Sequence, residues 1–469
     1  MSPAYDAIVI GAGANGLSAA VCLARAGRKV LVVERREVVG GQGALIEFAP
    51  GFRADPLMAD AGWLPPAVAR EAGVANLERV VPEVTVAVPT GERRWLGLDR
   101  DVSKAAEAIR RLSPSDARAW PAFTDRIAKL SRFLEALYTL PPPDIEASSP
   151  AGLLTLLGVA RKLRGLGREG MIDLLRLMPM SVQELLDDTF ESEPLKAAIA
   201  GSGVSGLRQG PRSGGTAFLM LHHHVGAAAG AIRGRGYWKS GPDALSGALA
   251  AAAGRLGVTV RAGAGVARIV VANDRATGVV LEGGEEISAP IVLSTADPAR
   301  TLLGMVDPVW LDPEFLLAVR NIKFRGCTAT VLYALEGEPA FAGLDTPPGE
   351  CGLFSLSGTM LDIERAADAA KYGTVSARPH VEAQIPSLWW PGLAPQGKHV
   401  LAARAQWAPY RLRDGEWTGA RREELGASVT DLVEAAAPGF SRLIRERVVM
   451  APPDIETRYG VTEGSVSQG

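Results

Sequence analysis

The chain has 469 residues, 47% of them hydrophobic and 22% charged, and a formal net charge of −2. That length implies two or more domains with ample core, and the composition is globular, neither fibrous nor disordered. The near-neutral charge argues against general affinity for nucleic acid, and the three cysteines, Cys22, Cys327 and Cys351, lie far apart without a CxxC.

A dithiol redox centre is therefore not expected, and the thiols should be reduced and mostly buried. No apolar run reaches the roughly 18 residues of a membrane-spanning helix. The first strand pattern begins almost at Met1, so no signal peptide is expected. The expectation is a cytoplasmic protein, with peripheral membrane contact left open.

Ala7 to Ile10 is an unbroken apolar run, as expected of a parallel strand buried on both faces. Gly11, Gly13 and Gly16 then give GxGxxG. Leu17, Val21 and Ala24 continue at helical spacing, and Gly27 sits where a glycine ends a helix. Val30 to Val33 reads as the second strand, and Glu34 follows Gly11 by 23 residues. Strand, tight turn, helix, strand and acid make the dinucleotide fingerprint in its required context.

Each part has a physical task. Gly11 permits the turn, Gly13 lets backbone approach a pyrophosphate, and Gly16 lets helix and strand pack closely. The helix N-terminus offers unpaired N–H groups and a partial positive charge of roughly half a unit. Ala12, Asn15 and Arg35 are the further candidate contacts of this turn and its acid. Glu34 can accept two hydrogen bonds from a ribose, and its charge disfavours a 2′-phosphate and hence NADP.

Beyond Glu34-Arg35-Arg36 the sequence runs into Val38-Val39-Gly40-Gly41. NAD dehydrogenases need nothing specific there. On this glycine pair after the ribose acid, the chain resembles the phytoene desaturase-like FAD-dependent oxidoreductases. Within them it is most similar to the branch of pyridine nucleotide-disulfide oxidoreductase domain-containing protein 2 and the desaturase-like β-carotene ketolases. The segment Phe48 to Asp55, with its Pro-Gly-Phe turn, and the stretches 386–400 and 405–410 carry the same likeness.

The resemblance implies an α/β fold, a Rossmann-like FAD-binding domain of the glutathione-reductase-like type interleaved with an α+β substrate domain. The first would comprise residues 1–62 and 225–303, the second 63–224 and 304–469. By the same resemblance Gly40 and Gly41 pass close to FAD, Val266 meets the adenine, and Thr295 and Ala296 end a strand beside the ribityl chain. Two features depart from the family. The turn Ser240-Gly241-Pro242-Asp243 is shorter than usual, and relatives continue past Gln468-Gly469 into a segment that completes the flavin site. The expectation is a chain lacking that C-terminal part.

Between these points, helix is expected near 63–73, from Val102 to Leu140 with a break at Ser113, and from Val182 to Phe190. Strands are expected around a Thr90-Gly91 turn, Gly201-Ser202-Gly203 reads as a loop, and Pro141-Pro142-Pro143 as a stiff connector. A helix over 152–167 carries leucines with Arg161, Lys162, Arg164 and nearby Arg168. Its favoured reading is a basic face in water, with a membrane surface as the alternative.

His222-His223-His224 cannot converge on one metal from a helix, and no Cys, Asp or Glu stands at ligand spacing, so a metal is not expected. The resemblance, whose members carry histidines in a similar segment, implies that they line a cavity. Helix 244–256, a three-strand meander to Leu281 and a buried strand Ile291–Ser294 should follow. Cys327 to Ala334 reads as an alternating strand. Trp389, Trp390, Trp407 and Tyr410 are cavity or core aromatics.

The function implied is hydride transfer from a large apolar, carotenoid- or isoprenoid-like substrate to flavin, with no catalytic side chain nameable. An amine or amino-acid oxidase is one alternative. A lipid- and protein-binding relative of the Rab GDP-dissociation inhibitors is the other.

Overall fold

The computed structural model describes residues 4–140, 150–228 and 231–467. The expected connector at Pro141-Pro142-Pro143 and the Gln468-Gly469 end lie outside the described residues. Four parallel strands form the first sheet, in the order Ile291–Ser294, Ala7–Ile10, Val30–Val33, Thr259–Arg261. Ala7–Ile10 and Val30–Val33 are buried at every position, which is why both read as continuous apolar runs. The helices Ala14–Arg25 and Ala244–Arg255 cover one face, and the meander Val266–Ala272, Arg275–Leu281, Glu286–Ser288 covers the other. Ile291–Ser294 forms as expected, yet it is only partly buried because it is the edge of the sheet and pairs on one side alone.

The second sheet has seven strands in the order Ile444–Met450, Thr328–Leu335, His399–Gln406, His380–Gln384, Phe354–Ser355, Val84–Gly91, Arg94–Asp99. Its strands come from the segment between Val30–Val33 and Thr259–Arg261 and from the segment after Ile291–Ser294. Thr328–Leu335 was expected to alternate between buried and exposed, but all eight positions are buried. Alternation survives as a choice between two cores: Leu332 and Ala334 join the larger one, Ala329, Val331, Tyr333 and Leu335 the other.

Local geometry corrects three further expectations. The turn between Val84–Gly91 and Arg94–Asp99 falls on Glu92 and Arg93, whose φ angles of 50° and 56° suit a two-residue hairpin loop. The helix expected near 63–73 is only Pro66–Glu71, since prolines confine its start. Gly201, Ser202 and Gly203 are the buried last turn of the helix Glu193–Val204, not a loop. A Cβ on Gly203 would stand 2.8 Å from the Thr216 carbonyl oxygen, so that glycine serves close packing rather than a turn.

The helix Pro150–Gly165 forms as expected, but it leaves Leu153, Leu154 and Leu157 exposed at 55%, 69% and 67%. Among the described residues no helix is long and apolar enough to cross a membrane. Cys327 and Cys351 are buried and Cys22 is exposed, and all three are free.

Candidate functional site

The glycine turn after Ala7–Ile10 is closed from three sides by backbone. Gly11, at φ 98°, donates its N–H to the Val33 carbonyl at 2.8 Å. A Cβ on Gly11 would meet Thr295 Oγ1 at 2.6 Å, and one on Gly16 would lie 1.9 Å from the Gly11 oxygen. Thr295 in turn donates its hydroxyl to the Ile10 carbonyl at 2.9 Å. Gly40 donates to the Ala12 carbonyl at 2.8 Å, which lays the second glycine pair across the first turn.

Gly13 is different. Its nearest neighbour to a built Cβ is Gly41 Cα at 3.5 Å, an ordinary contact, and it caps the helix Ala14–Arg25 without any side-chain bond. That helix has no acidic residue in its first turn and Asn15 is exposed there. The helix start is left bare of side chains that would compete with an anion.

Glu34 is 8% exposed. Its carboxylate accepts the Ala12 N–H at 2.9 Å and the Arg36 N–H at 3.0 Å, so the acid sits directly over the glycine turn. The Arg35 guanidinium donates to the carbonyls of Thr457 and Arg458 at 3.2 and 3.4 Å. Its neighbour Arg36 takes the inner position. It donates to the Gly41 carbonyl at 2.5 Å, lies 3.8 Å from Glu34 and stacks its guanidinium over Tyr459 at 5.0 Å. The chain bends after Val33, and the Arg36 N–H folded back onto the Glu34 carboxylate is what places Arg36 beside it.

Gly11, Ala12, Gly13, Gly16, Glu34, Gly40, Gly41 and Thr295 are thus brought together by direct contact, and Ala296 is the next residue of the same strand end. Val266 begins the meander and packs on the core beneath Ile10 and Val33.

Beside the glycine pair opens a cavity of about 600 Å³. Gln42 and Gly43 lead into it, and Gln42 Nε2 is buried there without a partner. One wall is aromatic: Tyr237 stacks on Trp389 at 4.1 Å and meets Trp390 edge-on at 5.1 Å. Trp407 is fully buried core, and Tyr410 bonds to Glu456, so the four expected aromatics divide between cavity and packing. His222 and His223 line this cavity, whereas His224 lines a second one of about 230 Å³. Burial holds the imidazoles of His223 and His224 down at about 3 and about 4, so both are neutral. Among the described residues no group of His, Cys, Asp and Glu is placed to hold a metal.

Asp55 is the fully buried carboxyl of the cavity wall. Desolvation pushes it up to about 6, against the N–H groups of Leu57 and Ala59, each 2.9 Å away.

The profile of the flavin-containing amine oxidoreductases matches residues 15–450. The chain belongs to that family. As a flavin-containing amine oxidoreductase it is an FAD-dependent oxidoreductase, and its residues fit the cofactor. The turn has no room for side chains at Gly11 and Gly16, the helix carries no acid in its own first turn, and Glu34 lies over the turn.

Over 496 residues it is 31% identical to pyridine nucleotide-disulfide oxidoreductase domain-containing protein 2 of Rattus norvegicus, covering 100% of this chain and 85% of that one. It is 27% identical to a phytoene dehydrogenase of Streptomyces griseus, covering 96% of this chain and 83% of the relative. Among solved structures, an oxidoreductase from Methanosarcina mazei shares the fold with a TM-score of 0.55 at 16% identity, covering 95% and 87% of the two chains.

Proposed function

We propose that this FAD-dependent oxidoreductase dehydrogenates or oxidises a large apolar molecule of carotenoid or isoprenoid type, held in the cavity beside Gln42 and Gly43. The observation that carries the reading is the aromatic wall of Tyr237, Trp389 and Trp390 next to the glycine pair. Stacked rings offer a flat, sequence-rigid surface to an extended polyene. The relatives named as phytoene dehydrogenase and hydroxyneurosporene desaturase support the same substrate class.

Bound FAD supplies a two-electron acceptor for hydride from an allylic carbon. The protein's own part is to bind, orient and shield. Gly11, Ala12, Gly13, Asn15 and Gly16 hold the diphosphate, and Glu34 with Gly40 and Gly41 fixes the adenosine half. Val266, Thr295 and Ala296 flank its remainder. In this reading residues 1–62 and 225–303 form the cofactor domain, and 63–224 with 304–469 the substrate domain. Trp389 Nε1 bonds to the Gly349 carbonyl at 2.8 Å and Trp390 Nε1 to the Trp238 carbonyl at 3.1 Å, so the wall is held rigid against the substrate.

A substrate of this kind dissolves in lipid, and the proposal includes peripheral contact with a membrane. The exposed leucines of Pro150–Gly165 lie on the same helix as exposed Arg161, Lys162 and Arg164, a combination suited to an anionic lipid surface. The test is a screen of carotenoids against amines with the flavin-loaded protein, following loss of the oxidised flavin band. Bleaching by a carotenoid is expected. Bleaching by an amine alone would replace the reading with an amine oxidase.

A further inference from the structure

We infer that Arg233 and Arg404, in the lining of the same cavity, form an oxyanion subsite that takes the carboxylate head of an otherwise apolar substrate. The inference rests on reading this cavity as the substrate site, and it narrows the substrate from a hydrocarbon to an apolar acid.

Glu382 and Arg404 face each other across neighbouring strands of the seven-stranded sheet, and Arg404 reaches Glu382 Oε2 at 2.5 Å. Arg233 approaches from the opposite side, on backbone at φ 59°, and bonds to Glu382 Oε1. Glu382 is 4% exposed, Arg233 11% and Arg404 19%, and both arginines line the cavity. Burial alone would raise the Glu382 carboxyl, but the two arginines hold it well below the usual carboxylate range.

Two cations therefore share one carboxylate. Among the described residues neither guanidinium side chain has another protein acceptor, although each carries five N–H donors. The remaining donors belong to side chains that border open space. A desolvated set of three charges contributes little to stability compared with apolar side chains, so the fold has small reason to keep it. The chain also makes room for it: a Cβ on Gly201 would lie 2.6 Å from an Arg233 nitrogen and 2.7 Å from a Glu382 oxygen.

The other acids of the cavity form no hydrogen bond or ion pair with these donors, although Asp55 lies near enough to Arg404 to feel its charge. Asp55 spends its oxygens on the N–H groups of Leu57 and Ala59, and Asp60 pairs with Arg235 at 3.8 Å. A planar carboxylate accepting from two guanidinium forks is the ligand that fits.

The experiment measures binding of retinoic acid, methyl retinoate and β-carotene to the full flavin-loaded chain by quenching of tryptophan fluorescence. The acid should bind about tenfold or more tightly than its ester, the usual worth of a charge-assisted hydrogen bond. Arg233→Met leaves Glu382 its Arg404 partner, so it should fold, and it should abolish the preference without weakening the ester. Glu382→Gln frees both guanidiniums and should tighten the acid further, the opposite sign.

Equal binding of acid and ester, or a preference that survives Arg233→Met, overturns the subsite while leaving the apolar substrate reading intact. Failure of all three probes to bind overturns that reading, and the subsite with it.

Discussion

A Cβ placed on Gly41 would stand 2.8 Å from the α-carbon of Gly13, so the two glycine motifs of this chain touch through backbone alone. They are 28 positions apart in sequence, and the closeness of Gly13 leaves no room for a side chain at Gly41. Gly41 also has φ 58°, a left-handed conformation that costs a non-glycine residue on the order of 1 kcal/mol. Gly41→Ala should push the second turn away from the first and open the diphosphate cradle. We expect at least a tenfold loss of FAD affinity by flavin titration, with a smaller fall in thermal stability of the flavin-free protein.

The two arginines after Glu34 give a paired test of the same site. Arg36 is held against Gly41 and Glu34, and Arg35 against the carbonyls of Thr457 and Arg458. Arg36→Ala should weaken FAD by about tenfold or more, since it removes a charged donor that fixes the glycine pair. Arg35→Ala should leave FAD affinity within about twofold of the wild type. Comparable losses in both variants would show that the inward and outward assignments are wrong.

How much of this was legible beforehand depended on whether a residue answers to its neighbours in sequence or in space. The strand, turn, helix and second strand from Ala7 to Val33 are local, and their pattern read the structure correctly. Gly201 and Gly203 misled because glycine suggests a turn, while here it answers to Thr216, Arg233 and Glu382, which are distant in sequence. The Arg233–Glu382–Arg404 set was invisible for the same reason, its members being brought together only by strand register and a returning loop.

Gly203 offers a direct test of that lesson. Alanine is the better helix former by roughly 1 kcal/mol, so propensity alone expects Gly203→Ala to stabilise the helix Glu193–Val204. Its Cβ, however, would sit 2.8 Å from the Thr216 oxygen and 3.2 Å from Val182 Cβ, a backbone atom and a packed side chain that cannot rotate away. The clash should prevail. Net destabilisation on the order of 1–3 kcal/mol is expected in urea unfolding, whereas a rise in stability would mean that the helices part without cost.

Asp55 makes stability depend on pH in a defined direction. Its folded-state pKa is raised by burial from 3.8 to about 6. Below the unfolded value the carboxyl is protonated in both states and its contribution is fully present. As pH rises through about 6 the folded protein must hold a buried charge, and that contribution is lost, on the order of 3 kcal/mol in all. Asp55→Asn does not titrate. Although it loses one of the two acceptors for Leu57 and Ala59, that loss is the same at every pH. The stability of Asp55→Asn relative to wild type should therefore climb between pH 4 and about 6 and level off above. A difference that stays flat across that window would place the Asp55 carboxyl in contact with water, and with it the wall of the cavity.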